Sequence, residues 1–252
     1  MFIPVHFSLM PRRPRDFLPN VPVHLIQRGN DRKVCFLTDR DYTVYLNKLR
    51  ECSNLHGVAI HSFVLMTNHV HLLCTPERPQ SISLMMQGLG RYYVRYINST
   101  YKRTGTLWEG RFKASLLSTE RYFLTVSRYI ELNPIRAGMV KHPAEYPWSS
   151  YRHNASGKRI KLITPHPVYL SLGRSKQERR ARYQALFDQL IPSYTLEEIR
   201  TATNKAWVLG DGKFKQQIEQ QLGYALPPFQ RGGDRKSSNF RRISKKQKIK
   251  VL

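Results

Sequence analysis

"VAIHSFVLMTNHVHLLC", residues 58–74, holds two runs of strand-forming residues separated by Thr67–Asn68. A connection that short makes them an antiparallel hairpin. Side chains alternate along the second run, so His69 and His71 project from one face and Val70 and Leu72 from the other. With Val70 and Leu72 directed into a helix-covered core, both imidazoles lie on an open sheet face, near enough to share one cation. Neutral imidazole is the commonest nitrogen ligand for metals. The spacing alone suits two exposed strand residues equally well, so other elements must decide.

Upstream, "VPVHLIQRGN" (21–30) alternates as a strand and ends in a turn. Tyr42, Tyr45, Leu46, Leu49 and Leu55 then keep a helical spacing between an N-cap at Asp39 and a stop at Gly57. Downstream, a second helix runs from Ser81 to about Tyr101, and "KRTGTLWEGR" (102–111) is a basic, Gly-punctuated loop. "FKASLLS" (112–118) reads as a fourth strand. The stretch "STERYFLTVSRYIELNPIRAG" (118–138) reads as a helix opened by a capping box at Ser118 or Thr119 and ended or kinked at Pro134. The order βαββαβα implies an α+β domain: a ferredoxin-like antiparallel sheet with its two helices on one face and the other face partly open.

Charge points to the partner. The chain has 252 residues, with 42 Lys+Arg against 17 Asp+Glu, a net charge of +25. That excess suggests a polyanion, and 14 Tyr, 11 Phe and 3 Trp offer stacking surfaces to go with phosphate-binding cations. No apolar run approaches the roughly 20 residues of a membrane span, and the N-terminus lacks the pattern of a signal peptide. Three cysteines without C-x-x-C spacing argue for a reducing cytoplasm and against a disulfide framework or a Cys-based zinc site. A nucleic-acid partner, the leading polyanion for such a surface, would place the protein in the cytoplasm, associated with the nucleoid.

In "VSRYIELNPIRAG" (126–138), Tyr129 and Asn133 are four apart and share a helix face. A phenol able to act as a nucleophile and an amide oxygen able to act as a third metal ligand would approach the sheet together. Glu131 falls on the far side of that helix. The plainer alternative makes Tyr129 a core residue and Asn133 a helix C-cap. Tyr92, Tyr93 and Tyr96 are rival phenols, but their spacing fits a packing face. His24, His56 and His61 lack a same-face partner as close as the 69/71 pair.

These segments resemble a known family. "NHVHLL" is similar to the His-hydrophobe-His motif of the HUH single-tyrosine transposases, and "YIELNP" to their nucleophile-bearing helix. The fuller set "MPRRPR", "HLIQRGN", "VLMTNHVHLL", "RTGTLWEGRFKASL", "RYIELNPIRAGMV" and "YPWSSY", in this order, resembles the REP-associated tyrosine transposases over about residues 10–155. The resemblance implies a βαββαβα core that binds single-stranded or hairpin DNA and cleaves it through a 5′-phosphotyrosine intermediate with Mg²⁺ or Mn²⁺. It makes His69 and His71 the metal ligands, Tyr129 the nucleophile, and Asn133 the residue where relatives carry an amide-bearing ligand. It leaves monomer and dimer both open.

Further DNA-contact candidates are Arg12, Arg13 and Arg15 in the basic arm, Arg28 and Asn30 after the first strand, and Trp108, Arg111 and Lys113 around the Gly-punctuated loop. Trp108 is as well suited to be a hydrophobic plug. The expected organisation is an arm (1–20), a catalytic domain (21–155), a helical extension with DNA-binding potential (156–228) and a cationic, disordered tail (229–252). A water-activating metal nuclease and a non-enzymatic sequence-specific DNA-binding protein are the competing readings.

Overall fold

A computed structural model of the chain describes residues 17–205 and 208–223. Arg12, Arg13 and Arg15 and the cationic tail lie outside the described residues. The elements are β1 (Val23–Arg28), α1 (Asp39–His56), β2 (Val58–Leu65), β3 (His69–Pro76), α2 (Ser81–Thr100), β4 (Lys113–Leu116) and α3 (Thr119–Glu131). After them come α4 (Asn133–Arg136), α5 (Tyr151–Asn154), α6 (Pro167–Leu170), α7 (Lys176–Ala185), α8 (Ser193–Lys205) and α9 (Gly212–Leu222). The strands form one antiparallel sheet in the order β2-β3-β1-β4, the ferredoxin-like arrangement that the element order implied.

Local chemistry sets the boundaries of α1. Its N-cap is Thr38 rather than Asp39, and the Asp41 carboxylate accepts from the Leu37 and Thr38 backbone N–H groups. Its C-cap is Gly57 at φ 62°, a left-handed conformation that costs glycine little. Val23, Leu25, Val70, Leu72 and Cys74 face α1 and α2, where they pack with Leu49, Met85, Leu89 and Tyr93. Burying each such side chain contributes about 1.5–3 kcal/mol, so this layer holds the sheet flat against the helix pair.

The opposite face is not bare. α3 lies over β2 and β3, and α8 lies over β4 and β1. Val64, Leu73, Phe123, Val126, Ile130 and Ile199 fill the space between. The chain beyond residue 147 also covers the β2 edge and the end of the β4 edge. Trp148, Ser150 and Thr164 exchange backbone hydrogen bonds with β2, and Leu209 bonds to Leu116 and Ser118 beside β4. The three cysteines are buried and free. No helix among the described residues is long and apolar enough to cross a membrane.

Candidate active site

The hairpin places the two histidines as the alternation required. His69 stands opposite Arg28 and His71 opposite Ile26 in the β1–β3 register, on the face away from α1 and α2. Their ring centroids are 5.1 Å apart. At the turn, the Gly29 N–H bonds the Asn68 carbonyl (2.8 Å), and a Cβ on Gly29 would collide with the Lys33 carbonyl and the Cys35 thiol. That close approach lets Asn68 Nδ2 donate to the Arg32 carbonyl (2.9 Å), which aims Asn68 Oδ1 at His69 Nδ1 (2.7 Å). An amide oxygen only accepts, so His69 carries its proton on Nδ1 and keeps a lone pair on Nε2.

Burial pushes the His69 imidazolium down to about 4, with Arg28 adding to the effect, and holds His71 well below the ordinary range, with His24, His69, Arg136 and Arg28 reinforcing it. Both rings are therefore neutral at pH 7, the form that binds metals. His71 Nδ1 lies 2.9 Å from His24 Nε2, and His24 Nδ1 lies 2.9 Å from the hydroxyl of Thr203 on α8.

Tyr129 comes down onto this pair from the last turn of α3. Its ring is edge-on to His71 and to His24, with centroids 5.8 Å from each. The helix breaks at Leu132 and restarts at Asn133 with Pro134 in its first turn. Asn133 Nδ2 bridges back to the carbonyls of Tyr129 and Ile130 (3.2 and 3.3 Å), which leaves its Oδ1 as the group able to accept or ligate. His69, His71, Tyr129, Asn133, Arg136 and Arg200 all line one cleft of about 300 Å³. Glu131 is elsewhere, fully buried, accepting from Ser150, Asn154 and Tyr183.

An ion would find two imidazole nitrogens and one amide oxygen here. Among the described residues no group of three His, Cys, Asp or Glu side chains gathers to hold an ion unaided. The donors present suit a cation completed by phosphate oxygens, and Mn²⁺ accepts such a mixed set more readily than Mg²⁺.

A second basin of about 340 Å³ opens beside the cleft, sharing Ile26, Arg28 and Asn204 with it and adding Arg111 and Lys113. Three expected DNA contacts thus converge. Asn30 is exposed nearby in the turn after β1. Trp108 does not join them. The residue is 7% exposed and its ring packs against Tyr45 and Tyr93, so it is a core plug and presents no stacking face to a base. Tyr93 and Tyr96 are tied to the Cys35 carbonyl and to Asp41 on the α1–α2 side of the sheet, away from the histidines.

Residues 18–133 match the sequence profile of a family described as "Transposase IS200 like". This segment is similar to IS200-like transposases. A solved structure described as "Structure of the REP associates tyrosine transposase bound to a REP hairpin" shares its fold at a TM-score of 0.51 and 17% identity, covering 63% of this chain and 93% of that one. A crystal structure of a candidate transposase from Deinococcus radiodurans R1 aligns at a TM-score of 0.34 and 23% identity, over 48% of this chain and 96% of that one, too loosely to add to the argument. No curated protein matched the chain.

The matched segment contains His69, His71, Tyr129 and Asn133, but the cleft does not end with it. Arg136, Arg200, Thr203 and Asn204 lie beyond the matched segment. Sequence reading missed these and also passed over His24, which turns out to share a face with His71. The alternation of His24, Ile26 and Arg28 was the available signal, and it becomes informative once β1 is paired with β3.

Proposed function

We propose that the chain is a single-strand DNA transesterase, cutting and rejoining DNA beside hairpins through a 5′-phosphotyrosine on Tyr129, with Mg²⁺ or Mn²⁺ held by His69, His71 and Asn133. One observation carries the reading: the Tyr129 ring stands 5.8 Å from His71 in a cleft that also holds His69, Asn133 and Arg136. The hairpin-bound relative of the same fold supports the choice of substrate. With such a substrate, the protein would work in the cytoplasm, at the nucleoid.

The phenol oxygen of Tyr129 attacks phosphorus and the P–O3′ bond breaks. The phenol proton is balanced on the departing 3′-hydroxyl. His69, His71 and Asn133 would hold the cation, which would supply Lewis-acid stabilisation of the charge that develops on the phosphate. Arg28, Arg111 and Lys113 hold flanking phosphates. Because one phosphoester is exchanged for another, attack by a 3′-hydroxyl on the tyrosyl phosphate reseals a strand without an external energy source.

The test is to incubate the chain with labelled hairpin-containing single strands and Mn²⁺, denature it, and map labelled peptides by mass spectrometry. A denaturation-resistant adduct on Tyr129 that Tyr129→Phe abolishes is the expected result. Undiminished cutting by Tyr129→Phe, or a label on Tyr92, Tyr93 or Tyr96, rejects the assignment. Turnover without any adduct means a water-activating nuclease.

A further inference from the structure

We infer that Thr203 and His24 are positioning residues: through a directed hydrogen-bond chain from α8 they fix His71 as the Nδ1–H tautomer, so that its Nε2 lone pair faces the cleft. The inference rests on the proposed role of His71 as a metal ligand.

The chain can be followed proton by proton. Thr203 Oγ1 lies 2.8 Å from the carbonyl of Ile199, one turn earlier on α8, and a carbonyl can only accept. A threonine within a helix commonly spends its hydroxyl proton this way. That proton is then unavailable to His24, and Thr203 Oγ1 must accept from His24 Nδ1–H at 2.9 Å. His24 is 1% exposed, no carboxylate among the described residues is hydrogen-bonded to it, and a buried, unpaired imidazolium is costly. It is therefore neutral, its Nε2 bears no proton, and it accepts from His71 Nδ1–H at 2.9 Å. His71 is left with Nε2 as its only basic nitrogen. His69 reaches the same state by a separate route through Asn68 Oδ1.

The reverse register is the instructive alternative. Were Thr203 to donate to His24 Nδ1, His24 would donate to His71 Nδ1, and His71 would present Nε2–H to the cleft. A cation cannot bind that form. The hydroxyl on α8 therefore selects between a ligand and a non-ligand, which makes a helix outside the matched transposase segment part of the centre.

The experiment reads tautomers first and metal second. Long-range ¹H–¹⁵N correlation on the metal-free full chain should show His71 and His24 protonated on Nδ1 alone. An Nε2–H His71 overturns the relay. Thr203→Val keeps the side-chain shape and removes the hydroxyl. It should shift His71 toward Nε2–H and weaken Mn²⁺ binding about 10–100-fold, the usual cost of losing an outer-shell partner, measured by electron paramagnetic resonance without DNA. Thr203→Ser should restore both. Unchanged tautomer and unchanged Mn²⁺ affinity in Thr203→Val also overturn the relay. The His69→Ala, His71→Ala chain tests the underlying reading separately: Mn²⁺ binding undiminished there overturns the metal assignment, whatever the tautomers show.

Discussion

The guanidinium carbon of Arg136 lies 4.4 Å from the centre of the Tyr129 ring, and the same side chain donates to the Tyr129 carbonyl at the end of α3. It thus holds both the ring and the backbone of the proposed nucleophile. Misplacing a reacting group by about 1 Å can cost on the order of 10²-fold in rate. Arg136→Ala should slow single-turnover adduct formation by about that factor with the fold intact. Arg136→Lys should fall between, since it keeps a charge but not the planar fork. An unchanged rate in Arg136→Ala would remove the residue from the centre.

Changing His69 or His71 to Ala should separate chemistry from binding. Cleavage should fall by about 10²–10³-fold, the scale of removing one group that stabilises developing charge. Hairpin binding, measured by fluorescence anisotropy, should change little, because the basic surface supplies the affinity. Full Mn²⁺-dependent cleavage by the double variant would sink the assignment.

Arg28, Arg111 and Lys113 border one basin next to the cleft. On a single strand each phosphate contact contributes roughly 0.7 to the slope of log K against log salt. Replacing all three with Ala should therefore reduce that slope by about 2. A parallel titration line for the variant would mean that DNA takes another path.

Glu131 gives a pH signature in stability. Burial raises its carboxyl to about 7, against the opposing pull of hydrogen bonds from Ser150, Tyr183 and Asn154. The folded chain then binds this proton more tightly than the unfolded one. The stabilisation is complete below about pH 4.5, falls as pH rises towards about 7, and is lost above it, an effect of about 3 kcal/mol. Glu131→Gln should flatten this part of the melting-temperature profile. Gln can keep Oε1 towards Ser150 and Asn154 and offer its amide N–H to the Tyr183 oxygen, so the fold is preserved. A wild-type profile that is flat or rises from pH 4.5 to 7 would contradict the assignment.

The hairpin and its histidine faces were legible because a period of two and a tight turn are local signals. The span of α1 was legible for the same reason. The other half of the centre was not, because it is assembled by contacts far apart in the chain. His24 and Thr203 are separated by 179 positions, and no spacing rule connects a strand histidine with a threonine in a polar helix. Trp108 shows the converse limit. A basic, Gly-punctuated loop looks like a nucleotide platform, yet its indole is drawn in against Tyr45 and Tyr93 because burying a large aromatic surface outweighs exposing it. Glu131 was placed correctly off the tyrosine face, but its burial depends on Tyr183 of α7, which folds back from 52 residues away.

The backbone bonds that Trp148, Ser150 and Thr164 make to β2, and Leu209 makes beside β4, have a consequence for self-association. An edge strand with free N–H and C=O groups is a template on which a second molecule can add. Here the β2 rim is occupied by the chain's own return segment and the end of the β4 rim by Leu209, as a capped end terminates a growing polymer. A second copy can pair along β2 only after these segments peel away, so growth of the sheet on that side awaits partial unfolding of the region after residue 147.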